Sequence, residues 1–297
     1  MIETFQQELP HGITLSCRAA GEKGRPVLLF LHGFPEAAFA WDEMLEHFSK
    51  PENGGYRCIA PNLRGYEKSS QPEDIKMYRP KAIAQDIAAL IEIQGAPIEC
   101  LVAHDWGGAS AWGLANKMPQ LMKKLAIINS PHPGTFLREL KSSPKQQAAS
   151  AYMNFLIRPD AEKMLSENGY ARLFKFLDLD SADSAWLTED MKRKYREVWD
   201  MSLTGGLNYY RASQARPPRP EDPAAAAMDV PREALTVDVP TLVIWAMNDI
   251  ALPPELIDGL EDYVSDLTLE RVDGATHWII HERPRFVAER LGAFLAR

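Results

Sequence analysis

In the stretch Ala103-His104-Asp105-Trp106-Gly107 a carboxylate stands at the centre of the spacing Gly-x-nucleophile-x-Gly, with alanine in place of the first glycine. The apolar residues 98–103 read as a strand, and Gly107-Gly108 opens a small-residue segment that reads as a helix. At a sharp strand-to-helix turn the apical residue leaves the hydrogen-bond ladder, so its side chain projects above the carboxyl end of the sheet. Asp105 is that residue, and an aspartate presented in this way can attack carbon. The ordinary alternative is an aspartate that caps the helix by accepting from its free amides. The motif alone leaves both open.

A carboxylate nucleophile needs donors for developing charge, a base for water and a group that orients the base. Trp245-Ala246-Met247-Asn248-Asp249 follows an apolar run and brings Asp249 to the same sheet edge, while another run leads into Gly274-Ala275-Thr276-His277-Trp278 and delivers His277. Singly, Asp249 reads as a turn residue and His277 as structural. In the order nucleophile, acid, histidine, each at a strand's carboxyl end, they form a candidate triad. His32-Gly33-Phe34-Pro35 also follows a strand-like run. Its glycine and proline suit a tight loop that would aim the backbone N–H of Phe34, together with that of Trp106, at an oxyanion. His32, Pro35 and Trp106 are then expected around the substrate pocket, with a cis bond before Pro35, which costs an X-Pro peptide little.

The elements that must position these residues follow from patterning. Residues 26–31, 57–61, 125–128, 241–246 and 267–272 are short apolar runs of the kind buried on both faces of a parallel sheet. Helical spacing at Ile83, Ile87, Leu90 and Ile91 and an amphipathic segment over 283–295 fall between or after them. This alternation predicts an α/β fold, a mostly parallel doubly wound sheet. An antiparallel hairpin around Pro10-His11-Gly12 is expected to precede it, with His11 a surface turn residue.

Between about 134 and 229 the strand rhythm stops. Thr188 can cap a helix whose one face carries Met191, Tyr195, Val198 and Trp199, leaving Lys192, Arg193, Lys194 and Arg196 on a solvated face. The block is too long for a loop. It predicts a helical cap subdomain over 134–229, inserted into a core made of 1–133 and 230–297. The return, through a Pro- and Ala-rich stretch at 216–228, reads as a semi-rigid connector.

Composition excludes several function classes. A 297-residue chain with 45% hydrophobic residues can bury a large core, and a net charge of -8 without a long basic block gives no footprint for nucleic acid. No apolar run approaches the roughly 18 residues a membrane span needs, and residues 1–12 lack the pattern of a secretory signal, so a cytoplasmic protein is expected. Cys17, Cys58 and Cys100 show no paired spacing and read as reduced and structural. His104, His132 and His281 lack the spacing of a zinc site, and no phosphate-binding glycine loop occurs, so neither metal nor cofactor is expected.

His32-Gly33-Phe34-Pro35, His104-Asp105-Trp106-Gly107-Gly108, Asp249 and His277-Trp278 together resemble the epoxide hydrolases of the α/β-hydrolase superfamily, a likeness that spans nearly the whole chain. The resemblance implies a two-step hydrolysis with a small-molecule epoxide and water as the partners. Asp105 would open the ring to a covalent ester, which water activated by His277 and Asp249 would cleave to a diol. It also implies two cap tyrosines that donate to the epoxide oxygen. Leu207-Asn208-Tyr209-Tyr210-Arg211 matches the second-tyrosine motif and points to Tyr210; Tyr152, in Ala151-Tyr152-Met153, lies in the matching early part of the cap. Packing of cap onto core is the ordinary alternative for both. The chain departs from the family pattern at Glu67-Lys68, where a second glycine is usual, and at Thr276, which replaces the glycine before the histidine.

Haloalkane and haloacid dehalogenases resemble the chain in using the same Asp-His-Asp set, with Trp106 then holding the halide. Phe34 fills the place where haloalkane enzymes often carry asparagine, while Trp186 and Trp199 leave a halide-binding tryptophan open. Trp106 also stands where fluoroacetate enzymes carry an arginine for the substrate carboxylate. A catalytically silent scaffold that binds a small ligand would predict a missing triad member, and none is missing. The physiological substrate, the stereochemistry of opening and the oligomeric state are not encoded in any of these patterns.

Overall fold

The structure, a computed structural model, describes residues 1–178 and 184–297; residues 179–183, within the stretch expected to form the cap, lie outside the described residues. Eight strands form one sheet: β1 (Glu3–Glu8), β2 (Thr14–Ala20), β3 (Val27–Leu31), β4 (Arg57–Pro61), β5 (Cys100–His104), β6 (Leu125–Ile128), β7 (Thr241–Ala246) and β8 (Leu267–Val272). Their order is β1-β2-β4-β3-β5-β6-β7-β8, with β2 antiparallel to both its neighbours and every pairing from β4 to β8 parallel.

The central strands are VLLFL, RCIAP, CLVAH, LAII and TLVIWA, and every residue in them is buried. Both faces are covered, which is why these strands show continuous apolar runs rather than alternation. β8, at the edge, is mostly half-buried. The expected hairpin forms at β1–β2, but His11 does more than occupy its turn. Its Nε2 lies 2.6 Å from Oδ1 of Asp86, a buried carboxylate that also accepts from Arg64 at 2.5 and 2.8 Å. A buried carboxylate needs such partners, and the hairpin supplies one of them.

The helices of the core are α1 (Asp42–Phe48), α2 (Pro80–Gln94), α3 (Asp105–Lys117), α10 (Ile279–Glu282) and α11 (Pro284–Leu295). Between β6 and β7 the chain leaves the sheet and forms α4 (Pro133–Ser142), α5 (Pro144–Ala149), α6 (Tyr152–Leu156), α7 (Ala161–Asp178), α8 (Glu189–Met201) and α9 (Thr204–Ala212). α7 breaks where Asn168, Gly169 and Tyr170 take positive φ values of 53, 64 and 67°. Thr188 caps α8 by accepting from the Met191 amide at 3.2 Å. On its outer face Lys192, Arg193, Lys194 and Arg196 pair with Glu189, Asp190 and Glu197, the solvated face expected of that cluster.

This inserted segment is fastened to the core through specific polar groups as well as apolar contact. The Trp199 indole donates to the Pro35 carbonyl at 2.8 Å and the Tyr209 hydroxyl to the Arg64 carbonyl at 2.9 Å. At the start of α9 the backbones nearly touch: a Cβ on Gly205 would lie 2.0 Å from the Gly65 carbonyl oxygen. Among the described residues no helix is long and apolar enough to cross a membrane.

Candidate active site

β5 ends at His104, and α3 begins at the next residue. Asp105 therefore takes φ +50°, in the left-handed region that costs a non-glycine residue energy. Glycines make the turn possible. A Cβ on Gly107 would come within 2.7 Å of Leu31 and the His32 carbonyl, and one on Gly108 within 2.3 Å of Ser130. The Ser130 hydroxyl donates to the Asp105 carbonyl at 2.7 Å and fixes the turn from the end of β6.

The loop after β3 crosses directly over the turn. A Cβ on Gly33 would sit 2.1 Å from Asp105 Oδ1, so only glycine admits the contact. The next amide, that of Phe34, donates to Oδ1 of Asp105 at 2.7 Å, and the peptide before Pro35 is cis. His32 and Pro35, expected in the pocket wall, instead lie behind it. His32 is fully buried; its Nδ1 lies 2.9 Å from the Gly33 carbonyl and its Nε2 accepts from the Leu63 amide at 3.1 Å. Burial pushes its pKa down to about 4, and the neutral ring braces the loop. Pro35 turns its carbonyl to Trp199, so neither residue lines the cavity above Asp105.

His277 and Asp249 arrive from the loops after β8 and β7. Nδ1 of His277 lies 2.7 Å from Oδ2 of Asp249, and its Nε2 lies 3.7 Å from Oδ2 of Asp105. Burial opposes charge on the imidazole, but Asp249, through both charge and hydrogen bond, and then Asp105 and Glu36 outweigh it and raise the pKa to about 9. Asp249 is buried as well. It is nevertheless held below the usual carboxylate range, because its contacts with His277, Asn129 and the Leu252 amide more than offset desolvation. Its Oδ1 accepts from the Ala251 and Leu252 amides, both at 2.9 Å.

Two partners of this set had no sequence signal. Asn129, at the end of β6 with φ +38°, donates from Nδ2 to Asp249 at 2.8 Å, and its Oδ1 accepts from the Ala246 amide at 2.9 Å. It ties β6 to β7 at the level of the acid. Glu36, fully buried, accepts from the Tyr195 hydroxyl at 2.9 Å and lies 2.5 Å from Nε2 of His281. Its second oxygen faces Nδ1 of His104 at 3.3 Å, and Nε2 of His104 donates to the carbonyl of His277 at 2.9 Å. His281 stacks on Trp186 at 4.3 Å. The positions of Glu36 and His281 in the sequence show nothing of this, since the contact spans 245 residues.

Above Asp105 lies a cavity of about 800 Å³ whose lining includes Trp106, Tyr152 and Tyr210. The Tyr210 ring packs edge-on against Trp106 at 5.0 Å, against Phe34 at 5.3 Å and against Tyr152 at 6.1 Å. Burial and the nearby Asp105 carboxylate raise the pKa of both tyrosines, so both hydroxyls carry protons at neutral pH. Tyr209 points away and serves the contact with Arg64. A smaller cavity of about 240 Å³, lined by Phe34, Tyr152, Phe155, Leu173 and Phe176, shares Tyr152 with the larger one.

The two departures from the family pattern are both accommodated. Glu67 adopts φ +48°, and its carboxylate accepts from Ser16 Oγ at 2.5 Å and Asn62 Nδ2 at 2.6 Å. Thr276 donates from Oγ1 to Glu282 at 2.6 Å, which fixes the loop just before His277.

Comparison with known proteins gives the family to which this fold belongs. A family model described as alpha/beta hydrolase fold matches residues 26–284. The chain is 36% identical over 292 residues to the AB hydrolase superfamily protein YfhM of Bacillus subtilis, covering 96% of this chain and 95% of that protein. It is 30% identical to human epoxide hydrolase 4, covering 96% and 76%. It also superposes on the crystal structure of Bacillus megaterium epoxide hydrolase in complex with an inhibitor, with a TM-score of 0.89, 30% identity and 99% and 100% coverage of the two chains. With its sheet order, its elbow aspartate and these likenesses, the chain belongs to the epoxide hydrolases of the α/β-hydrolase superfamily.

Proposed function

We propose that this protein hydrolyses epoxides to vicinal diols through an Asp105 ester, with residues 134–229 acting as a cap over a core of 1–133 and 230–297. The observation that carries the reading is the pair of protonated hydroxyls, Tyr152 and Tyr210, in the cavity whose lining also holds the Asp105 carboxylate.

A carboxylate oxygen of Asp105 attacks a ring carbon, the strained C–O bond breaks, and the released alkoxide takes a proton from Tyr152 or Tyr210. The ester that results is neutral. His277 then faces one negative charge fewer, and its imidazolium proton returns to the tyrosinate. The neutral imidazole, oriented by Asp249, takes a proton from water, and the hydroxide attacks the carbonyl carbon of the ester. Backbone N–H groups of Phe34 and Trp106 stabilise the tetrahedral oxyanion. Its collapse expels the diol alkoxide, which takes the proton of the new carboxyl group and restores Asp105 as a carboxylate. A raised His277 pKa in the resting state is thus compatible with a base in the second step.

Dehalogenation would use the same triad, but a halide leaves without a proton and has no use for two phenols. A haloacid would further need a cation beside the nucleophile, whereas the basic residues lining the cavity are either exposed or, like Arg211 and Arg216, paired with Glu162 and Asp222.

The test is intact mass spectrometry of His277→Gln after exposure to styrene oxide and, separately, to a bromoalkane. Loss of the base should trap the ester as an adduct equal to the whole epoxide. An adduct from the bromoalkane alone, lighter by hydrogen bromide, would replace this reading with dehalogenation, and no adduct from either in a folded protein would remove Asp105 as nucleophile.

A further inference from the structure

Among the described residues seven large apolar side chains are exposed, and scattered singly they would call for no explanation. Three of them gather. Ile75 and Met77 are 43% and 39% exposed on the 3-10 turn Ile75–Tyr78, and Met228 is 38% exposed on the stretch that returns from the inserted helices. Ile75 and Met228 border one opening, the outer rim of the large cavity. The turn itself is well anchored. Its last residue, Tyr78, is buried and packs edge-on against Tyr209 at 5.8 Å, while the Met77 carbonyl accepts from the buried Arg64 at 2.8 Å. Asp74 caps the turn by accepting from the Lys76 amide at 2.9 Å. Ile75 and Met77 are therefore left in water by a turn that is fastened to the core, not by a loose end.

Cations accompany these groups. Lys76, Arg79, Lys81 and Lys117 border the same opening, all four are exposed, and among the described residues none has an ion-pair partner. Of the acids in the adjoining sequence, Glu73, Asp74 and Asp229, none borders the opening; Asp74 is taken up by its cap, and Asp229 lies 3.8 Å from Nζ of Lys141. A chain of net charge -8 thus concentrates unpaired positive charge where it also leaves apolar groups in water. Either feature alone is ordinary. Together they complement a surface that offers negative headgroups over an acyl layer.

We propose that this rim is a peripheral docking surface for an anionic lipid bilayer. Ile75, Met77 and Met228 enter the headgroup layer, while Lys76, Arg79, Lys81 and Lys117 pair with lipid phosphates and carboxylates. Three apolar side chains hold a bilayer weakly, and the four cations supply the second attraction that stable adsorption needs. No helix among the described residues crosses a membrane, so the attachment is reversible and weakens with salt. The inference concerns the outer rim and does not depend on the reaction at Asp105.

The experiment is co-sedimentation of the full chain with vesicles of phosphatidylcholine, alone or with about one third phosphatidylserine, at low salt and at about 0.5 M salt, where the Debye length shrinks to a few ångströms. The protein should bind the phosphatidylserine vesicles at low salt and leave them at high salt. Lys76→Gln/Arg79→Gln/Lys81→Gln/Lys117→Gln should weaken binding about tenfold or more. Ile75→Ser/Met77→Ser/Met228→Ser should weaken it by about as much while keeping the salt dependence. The charge-preserving Lys76→Arg/Lys81→Arg/Lys117→Arg should bind as the wild type does, which loss of fold would not allow.

A second measurement locates the contact. Cys17, Cys58 and Cys100 are all buried, so a cysteine introduced by Met77→Cys can be labelled alone with an environment-sensitive fluorophore. Its emission should shift to the blue on adding phosphatidylserine vesicles. The same label after Ile93→Cys, 44% exposed and about 20 Å away along α2, should not respond. Absence of binding to phosphatidylserine vesicles at low salt, undiminished binding by the glutamine variant, or equal shifts at both labels would each overturn the proposal. A shift at Met77→Cys that grows with protein concentration and needs no vesicles would assign the patch to a second copy of the chain and overturn it too.

Discussion

At the scale of the residue, charge on three neighbours decides what His277 can do. The imidazole is held protonated up to about pH 9 by the carboxylates around it, although burial works the other way. Asp105→Ala removes a negative neighbour, and a negative neighbour favours the protonated ring, so the midpoint must move down from about 9. Histidine-detected NMR titration measures it, and an unmoved midpoint would mean that Asp105 does not set the proton affinity of the base. The tyrosines are tested separately. Tyr152→Phe or Tyr210→Phe should slow ester formation in a single turnover by about a hundredfold, within the range of general acid catalysis; an effect on stability alone would assign the ring to packing. The positions of Asp105, Asp249 and His277 were legible because each follows the end of an apolar run, and a strand's end is a place that sequence patterning locates. Asn129 and Glu36 were not legible. Their roles lie in contacts made 120 and 245 residues away in the chain, and an asparagine or glutamate in a loop carries no periodicity that points to such partners.

At the scale of the element, the site depends on close approach of backbones that side chains would forbid. The loop after β3 can lay the Phe34 amide on Asp105 because Gly33 has no Cβ; an alanine there meets Oδ1 at 2.1 Å. Gly33→Ala must displace the loop or the carboxylate. It should lower kcat by about a hundredfold or more, the cost of losing one oxyanion donor, with a smaller change in stability than in rate. Steady-state kinetics beside thermal unfolding distinguish this from simple misfolding. α9 meets the core through a second such contact. Gly205→Ala brings a Cβ against the Gly65 carbonyl, backbone against backbone, and should cost about 1–3 kcal/mol by overpacking, read as a fall in the denaturant midpoint. The strands themselves were read from sequence almost to the residue, since an apolar run between turn signals has sharp edges. The interrupted helix α7 was not, because its break uses Asn168 and Tyr170 in left-handed conformations, which no spacing rule announces.

At the scale of the whole molecule, the buried ionisable groups pull stability in opposite directions as pH changes, and the signs can be worked through. His277 has its folded pKa raised to about 9 from the ordinary 6.5. Its contribution is therefore fully present below pH 6.5 and is lost as pH rises through 9. His32 and His132 are held neutral by burial, with folded values lowered to about 4 from 6.5. The unfolded chain takes up their protons first, so each lowers stability as pH falls from 6.5 toward 4. Asp249 and Glu36, both held below the usual carboxylate range by histidine partners, add a further loss at still lower pH. Above pH 9 the buried thiols of Cys17 and Cys58, pushed up to about 12 by desolvation, favour the unfolded chain. Stability should then be greatest near pH 6.5 and decline on both sides for different reasons. Calorimetric unfolding temperatures measured from pH 4 to 10 test this, and His277→Gln separates the two limbs. The variant should lose the decline between pH 6.5 and 9 while keeping the one below 6.5. A wild-type profile that is flat from 6.5 to 9 would mean that the imidazole is not held charged in the folded protein, and the charge balance assigned to the triad would have to be redrawn around a neutral His277.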